Sequence, residues 1–231
     1  RSIYKTGDQV SLIFGVLDNL GITICNAQIN ARITGPDNKI SNLSTEDNTI
    51  KKGKTCDPQD YSYLPDYWSS FSPILEGTYQ IEIESKTESG IKTMRQEITV
   101  LSESDYQNVP IIVKRTSMPT RIYPNGSYRA KVNILFNKDF EGIITEELSS
   151  EIKINSASQA GIIRNSKIEW AVNAESGTTQ ELSYSVTFPT VSPEFYLIGP
   201  LRLQNLASSY DFSDYPGSNY SWQIALDAIP N

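Results

Sequence analysis

The chain has 231 residues, a net charge of −7 and no histidine. A chain of this length forms one large domain or two ordinary ones. The lack of histidine excludes most nucleophilic triads, most zinc sites and the usual proton-exchanging side chain near neutral pH. No basic stripe indicates nucleic-acid binding, and no apolar stretch reaches the ~18 residues that a membrane-spanning segment requires.

The composition favours strands over helices. Hydrophobic residues make up 38% of the chain, and 13 residues are tyrosine. Tyrosine, threonine, isoleucine and valine suit the pleated, half-buried surface of a sheet, whereas windows rich in alanine, leucine and lysine are missing. We therefore expect an all-β protein with almost no helix.

Alternating apolar residues predict the strands of a first domain over residues 1–101. This period places one face of a strand in a core and the other in water. The inward residues of three such segments are Val10, Leu12, Phe14 and Val16, then Ala27, Ile29, Ala31 and Ile33, and finally Tyr79, Ile81 and Ile83. Two strands within residues 77–101 are separated by a short polar turn, which predicts a hairpin.

Residues 37–60 are polar and include the basic run Lys51, Lys52 and Lys54. They predict a solvated loop with at most a short strand near Ile40. The next stretch, DPQDYSYLPDYWSSFSP at residues 57–73, combines aromatic residues with aspartates. We interpret it as a long loop whose aromatic rings pack onto the sandwich.

Two alternatives remain open for the aromatic residues and aspartates. Aromatic platforms beside carboxylates bind sugars and other ligands, and the candidates here and near the C-terminus are Tyr61, Tyr63, Tyr67, Trp68, Tyr215 and Trp222. Carboxylates with carbonyl oxygens bind Ca²⁺, and the candidate ligands are Asp57, Asp60 and Asp66. The spacing is not that of an EF-hand loop, and no other cofactor is expected.

The two cysteines, Cys25 and Cys56, are too few for a structural zinc site. They form one disulfide if the compartment is oxidising and the two segments approach each other; the sequence leaves the bridged and the free forms equally open. Glycosylation sequons occur at Asn42, Asn125 and Asn219. This is about the number that chance predicts, so they indicate only sites that tolerate a glycan if the host makes one.

The polar, acidic segment at residues 102–108 predicts a short linker, because no apolar pattern crosses it. Residues 109–231 then predict a second β-sandwich domain. Its clearest alternating segments are YRAKVNILF at 128–136, KIEWAV around Trp170 and ELSYSVTF at 181–188. Short strands at intervals of roughly eight to twelve residues are typical of a sandwich. Residues 207–221 predict a long aromatic-rich loop before a final edge strand.

Several short elements follow one another in a familiar order. In the first domain they are Gly7–Asp8, Asn26–Ala27, Gly35–Pro36 and Gly77–Thr78–Tyr79, and in the second Arg115, Pro119, Gly126, Glu146–Glu147–Leu148, Ile168–Trp170 and Leu182–Tyr184–Val186. Residues 4–101 resemble extracellular immunoglobulin-like modules of bacteria and archaea. Residues 110–205 resemble repeat-type β-sandwich modules of secreted prokaryotic proteins. The resemblance implies tandem non-catalytic surface modules. The chain departs from the family pattern at residues 57–73, where such modules more often have a short Asp-Gly turn, and at Ser149, where they often have proline.

We therefore expect two consecutive antiparallel, immunoglobulin-like β-sandwiches. Their expected role is structural or interactive, as part of a stalk, adhesin, pilus or surface layer of a larger secreted or cell-surface protein. The expected partners are other domains of the parent protein, other surface proteins or glycans. Because the chain opens at Arg1 without an initiator methionine or a signal peptide, we expect a fragment of a longer precursor.

The main alternative is a carbohydrate- or ligand-binding module that uses the aromatic loops, and the third is a hydrolase. A glycosidase needs two carboxyl groups about 5–10 Å apart across a cleft, and the candidate pairs are Asp57/Asp60, Glu82/Glu84 and Glu146/Glu147. Glu82 and Glu84 are about 7 Å apart on one strand. They lie on a polar outer face without a cleft, which favours a solvated surface over catalysis.

Overall fold

The computed structural model describes residues 3–58, 64–115, 121–122, 126–189, 194–206 and 222–226. The strands of the first half are β1 (Ile3–Lys5), β2 (Val10–Phe14), β3 (Gln28–Thr34), β4 (Ile40–Ser44), β5 (Lys51–Lys52), β6 (Tyr67–Phe71), β7 (Gly77–Thr87) and β8 (Gly90–Leu101). A short helix, α1 (Glu103–Asn108), follows them. No helix in the described part of the chain has the length and apolar character that a bilayer span requires.

The strands of the second half are β9 (Ile111–Arg115), β10 (Arg121–Ile122), β11 (Ser127–Phe136), β12 (Phe140–Leu148), β13 (Lys153–Ala157), β14 (Ile162–Arg164), β15 (Lys167–Ala174), β16 (Thr178–Thr187), β17 (Glu194–Asn205) and β18 (Trp222–Leu226). The described residues thus form eighteen strands and one short helix, as the composition predicts.

The first eight strands form two sheets, ordered β1–β8–β7–β3–β4 and β2–β6–β5. This is the order of an immunoglobulin-like sandwich, in which the first sheet holds strands G, F and C and the second holds B, E and D. Side chains of both sheets, including Leu12, Tyr67, Ile29 and Ile81, form one buried cluster. β1 runs parallel to β8, whereas the neighbouring pairs of these two sheets run antiparallel.

The second half forms a four-stranded sheet, β13–β16–β11–β9, and a six-stranded sheet, β10–β18–β17–β12–β15–β14. Trp170, Phe136 and Leu182 belong to a buried cluster that draws on both sheets. After β12 the chain crosses to β13 and then returns for the β14–β15 hairpin beside β12. The spatial arrangement is immunoglobulin-like. It differs from the variable-type immunoglobulin fold, in which the strands that follow strand C stay in the sheet of strand C, because β13 lies in the opposite sheet from β12.

The alternating segments of the second half fold as predicted. Tyr128, Ala130, Val132, Ile134 and Phe136 are all buried, as is Trp170. The two buried clusters span residues 4–100 and 111–203 and share no residue. The division at 1–101, 102–108 and 109–231 agrees with these clusters and stays a prediction.

Three predicted loops contain regular structure. Residues 40–44 form β4 and residues 51–52 form β5, and their exposed side chains on a sheet edge leave little apolar periodicity. Residues 67–71 form β6 rather than a loop. Residues 103–108 form α1 because the Ser102 side chain caps it by accepting a hydrogen bond from the Asp105 N–H.

Candidate functional site

The outer face of the β2–β6–β5 sheet carries an exposed tryptophan. Alternation along β6 buries Tyr67 and Ser69 and turns Trp68 outward. Trp68 pairs with Ile13 of β2 on one side and with Lys51 of β5 on the other. The Trp68 side chain is 41% exposed and Ile13 is 43% exposed, so two large apolar groups lie side by side at the surface.

A groove runs along this face and encloses about 480 Å³, within the range of small-molecule sites. We call it the Trp68 groove; its lining residues are Gln9, Ser11, Ile13, Gly53, Lys54, Leu64, Pro65, Trp68, Ser69 and Ser70. An apolar strip is therefore bordered by an amide, hydroxyls and an ammonium group. Such a combination orients a ligand through a few polar contacts while apolar surface supplies most of the contact area.

The positive charge of the Trp68 groove comes from its β5 side. The Lys51 ammonium lies 4.8 Å from the centroid of the Trp68 ring, a cation–π contact. Lys54 lines the groove directly. On the β2 side, the Gln9 amide donates a hydrogen bond of 3.1 Å to the Ser70 hydroxyl, which fixes the position of two polar groups at the rim.

The wall formed by residues 53–56 is anchored at both ends. The Gly53 N–H donates to the Asp66 carbonyl oxygen at 2.6 Å, and the Cys56 N–H donates to the Gly53 carbonyl oxygen at 3.1 Å. Cys25 and Cys56 are joined by a disulfide of 2.06 Å. This bridge ties the segment before β3 to the segment after β5, whereas the common immunoglobulin disulfide links strands B and F.

We expect the Gly53→Ala substitution to lower the free energy of unfolding by about 1–3 kcal/mol. A Cβ at this position would collide with the Pro65 carbonyl oxygen and lie 3.3 Å from that of Asp66, and backbone atoms yield less readily than side chains. Denaturant unfolding measures the change. The Lys54→Ala control alters an exposed neighbour and should stay within about 0.5 kcal/mol; equal values for the two variants would contradict this account of the wall.

The predicted ligand-binding residues lie in different surroundings, and some lie outside the described residues. Tyr67 is buried, because its hydroxyl donates to the Ile24 carbonyl oxygen at 2.8 Å and accepts from the Ala27 N–H at 3.0 Å. Burial raises the pKa of Tyr67, and its side chain is only 1% exposed. Trp68 lines the groove with an exposed side chain. Trp222 begins β18, but its side chain is not among the described parts of the chain. Tyr61, Tyr63 and Tyr215 lie outside the described residues.

The predicted calcium ligands lie only partly within the described residues. Asp57 is exposed, whereas Asp66 is buried and lies beside Gly15, where an added Cβ would be 3.0 Å from its Oδ2. Asp60 lies outside the described residues. Among those that are described, no three acidic, cysteine or histidine side chains form a metal-binding group. Calcium binding stays a prediction.

Of the sequon asparagines, Asn42 is exposed and lies on β4, the edge strand of its sheet. This position leaves room for a glycan. Asn125 and Asn219 lie outside the described residues, so glycosylation at these two positions stays a prediction.

A second polar feature lies inside the second sandwich. Glu146 of β12 accepts two hydrogen bonds from the Arg115 guanidinium, with Nη1–Oε1 at 2.7 Å and Nη2–Oε2 at 2.8 Å. The Tyr184 hydroxyl donates to Glu146 Oε1 at 3.0 Å. The Arg115 and Glu146 side chains are 5% and 0% exposed. Because Arg115 and Tyr184 lie in one sheet and Glu146 in the other, this buried cluster links the two sheets.

The environment of the Arg115–Glu146–Tyr184 cluster favours a charged guanidinium and a neutral tyrosine. Burial raises the pKa of Tyr184 well above its usual range, and the Glu146 charge adds to this. Burial acts to lower the pKa of Arg115, but the Glu146 carboxylate outweighs it and the net direction is upward. The Arg115 guanidinium therefore stays charged in a water-poor core.

Two of the carboxylate pairs considered for hydrolysis lie fully within the described residues. Glu147 lies on the opposite face of β12 from buried Glu146 and pairs with Lys167 at 2.9 Å and Arg202 at 3.2 Å. Glu82 is bound to Arg95 at 2.6 Å on an outer face. Hydrolysis stays an untested hypothesis. A glutamate at an inward position of an alternating strand was the signal for the buried cluster, and sequence reasoning did not use it.

The helix α1 is bound from two sides. On one side the Lys5 ammonium of β1 lies 2.7 Å from Glu103 Oε2 and 5.7 Å from the centroid of the Tyr106 ring. This hydrogen bond raises the pKa of Lys5 and lowers that of Glu103. On the other side Asn137, between β11 and β12, donates its side-chain amide to the carbonyl oxygens of Tyr106 at 3.2 Å and Val109 at 2.7 Å.

No family model matches the chain, and no curated protein matches it in sequence. Among solved structures, Escherichia coli α2-macroglobulin activated by porcine elastase is similar over 96% of this chain and 22% of its own, with 8% identity and a TM-score of 0.39. The trypsin-activated α2-macroglobulin from Escherichia coli is similar over 98% of this chain and 17% of its own, with 9% identity and a TM-score of 0.40. A chimeric titin Z1Z2 tandem is similar over 97% of this chain and 92% of its own, with 13% identity and a TM-score of 0.26. The chain thus spans less than a quarter of the macroglobulins' length.

Proposed function

We propose that this chain is a pair of non-catalytic structural and interaction modules of a larger secreted or cell-surface protein. In this role the modules space other parts of the protein and present surfaces to partners, as in a stalk, adhesin, pilus or surface layer. The partners are other domains of the parent protein, other surface proteins or glycans. The observation that carries the proposal is the linker helix α1, which side chains from both sandwiches hold in place.

A six-residue helix is marginal on its own in water, because nucleating a helix fixes several residues for few hydrogen bonds. Its retention therefore depends on the contacts that Lys5 and Asn137 make with it. The Asn137 N–H also donates to the Pro110 carbonyl oxygen at 2.7 Å, which extends the same contact to the first residue before β9. A linker held in this way transmits orientation and force better than a free chain.

Two further observations support the proposal. The Cys25–Cys56 disulfide suits the oxidising environment of secreted and cell-surface proteins. The carboxylates of Glu82, Glu146 and Glu147 are all engaged in ion pairs, which is the arrangement of structural rather than proton-transferring groups.

We expect the Asn137→Ala substitution to loosen the junction. It removes two side-chain hydrogen bonds, to the carbonyl oxygens of Tyr106 in the helix and Val109 at its C-terminal cap, worth about 0.5–1.5 kcal/mol each. Spin labels attached to unnatural amino acids at Lys92 and Arg164, both exposed, would leave the disulfide intact. Pulsed electron-spin resonance should give one narrow distance distribution for the parent chain and a clearly broader one for the variant.

The matched control is Asn42→Ala, which replaces an exposed asparagine on β4 and should leave the distribution unchanged. Thermal unfolding of each variant separates loosening from loss of fold. A broad distribution in the parent chain, or no response to Asn137→Ala, would mean that α1 does not hold the modules and would remove the basis of the proposed role.

A further inference from the structure

We propose that the Trp68 groove binds an acidic saccharide. This inference goes beyond the module role and does not depend on it, because the residues of the groove and those around α1 are different. It identifies the class of ligand from the chemistry of the groove: one exposed indole ring, a strip of aliphatic side chains, a set of hydroxyl and amide groups, one lysine in the lining and a second against the indole ring.

The apolar part of the groove suits a sugar ring. Trp68 and Ile13 lie opposite each other on neighbouring strands and both are more than a third exposed. A pyranose has a face of C–H groups that packs on an indole ring, which also avoids leaving that apolar area in water. Leu64 and Pro65 continue the same lining, so the strip extends beyond the ring itself.

The polar part of the groove suits sugar hydroxyls. Gln9, Ser11 and Ser70 line it together with the apolar strip. An amide and two hydroxyls each donate and accept hydrogen bonds, which matches hydroxyl groups that also do both. The hydrogen bond from Gln9 to Ser70 fixes two of these groups before any ligand arrives.

The charge of the groove selects an acidic sugar over a neutral one. Lys54 lines the groove and the Lys51 ammonium lies 4.8 Å from the Trp68 ring centroid. A carboxylate or sulfate on the sugar would form an ion pair with these lysines next to the stacking surface. The whole chain has a net charge of −7, so a local cluster of lysines is needed to attract an anion.

A disulfide, a backbone hydrogen bond and sheet register hold the walls of the groove in place. The disulfide at Cys56 and the hydrogen bond from Gly53 to Asp66 hold the wall that carries Lys54. Sheet register fixes Trp68 and Ile13. A binding surface that needs little ordering loses less conformational entropy when the ligand binds.

The test is a glycan array of uronate-containing, sialylated, sulfated and neutral oligosaccharides, followed by calorimetric titration of the best acidic ligand. A heparin-derived tetrasaccharide and tetragalacturonate serve as acidic probes, and cellotetraose as the neutral one. We expect retention of acidic but not neutral glycans, and weaker binding at 500 mM than at 50 mM salt because ions screen exposed charges. The Trp68→Ala and Lys54→Gln variants should each bind at least tenfold more weakly.

The Lys92→Gln control replaces an exposed lysine on the β7–β8 hairpin and should bind within twofold of the parent chain. Circular dichroism establishes that each variant is folded, and Lys54→Glu provides a charge test that leaves Trp68 in place. The inference is overturned if no acidic glycan is retained above the neutral ones, if Trp68→Ala binds like the parent, or if poly-glutamate peptide competes as well as the saccharide.

Discussion

Replacing Glu146 by alanine is expected to lower the free energy of unfolding of the second sandwich by about 3–5 kcal/mol. The side chain is completely buried and accepts hydrogen bonds from Arg115 and Tyr184. Its removal leaves the Arg115 guanidinium, itself 5% exposed, without its counter-charge in a medium that stabilises charge poorly. Denaturant unfolding, followed by the fluorescence of buried Trp170, measures the loss.

The neighbouring residue provides a matched control. Glu147 pairs with Lys167 and Arg202 at the surface, where an ion pair contributes about 0–1 kcal/mol, so Glu147→Ala should have a small effect. Replacing the whole cluster, with Arg115→Met, Glu146→Leu and Tyr184→Phe together, should recover most of the lost stability, because no unpaired charge remains. A loss below about 1 kcal/mol for Glu146→Ala would show that the cluster is open to water.

Removing the disulfide is expected to destabilise the first sandwich by roughly 3–4 kcal/mol. Cys25 and Cys56 are 31 residues apart in sequence, so the bridge restricts a long loop of the unfolded chain. The Cys25→Ser/Cys56→Ser double variant should show this loss in amide hydrogen exchange, as faster exchange of β3 and β6 with little change in β11 and β16.

A redox control separates the bridge from the substitutions. Dithiothreitol should shift the parent chain by a similar amount and should leave the double variant unaffected. If neither reduction of the parent chain nor the double substitution lowers the free energy of unfolding, the bridge contributes nothing to stability. If β11 and β16 respond as strongly as β3 and β6, the two sandwiches do not unfold separately.

Period-two alternation was sufficient to predict the strands whose inward residues are apolar, such as β11 and β7. It failed at β6, where buried Ser69 interrupts the inward apolar residues Tyr67 and Phe71 and the outward set begins with Trp68. Once β6 is known to be a strand, Tyr67 and Trp68 must face opposite ways, so they cannot both contact one ligand. The short β5 gave no signal because both of its lysines are exposed on an edge strand.

The partners of Glu146 could not be predicted from sequence patterns. Arg115 is 31 residues away and Tyr184 is 38 residues away, and pattern reasoning provides no distance between positions so far apart. The helix α1 is different, because its signal was local: Ser102 followed three residues later by Asp105, with acidic residues in the first turn. The contacts of α1 with Lys5 and Asn137 required the fold.

The proposed role requires that α1 join the two sandwiches into one unit, and residual dipolar couplings of backbone amides in a weakly aligning medium test this directly. Couplings from β2–β8 and from β11–β17 should fit a single alignment tensor of one magnitude and orientation. Two tensors that differ clearly in magnitude would show that the sandwiches tumble independently, and this would contradict the account.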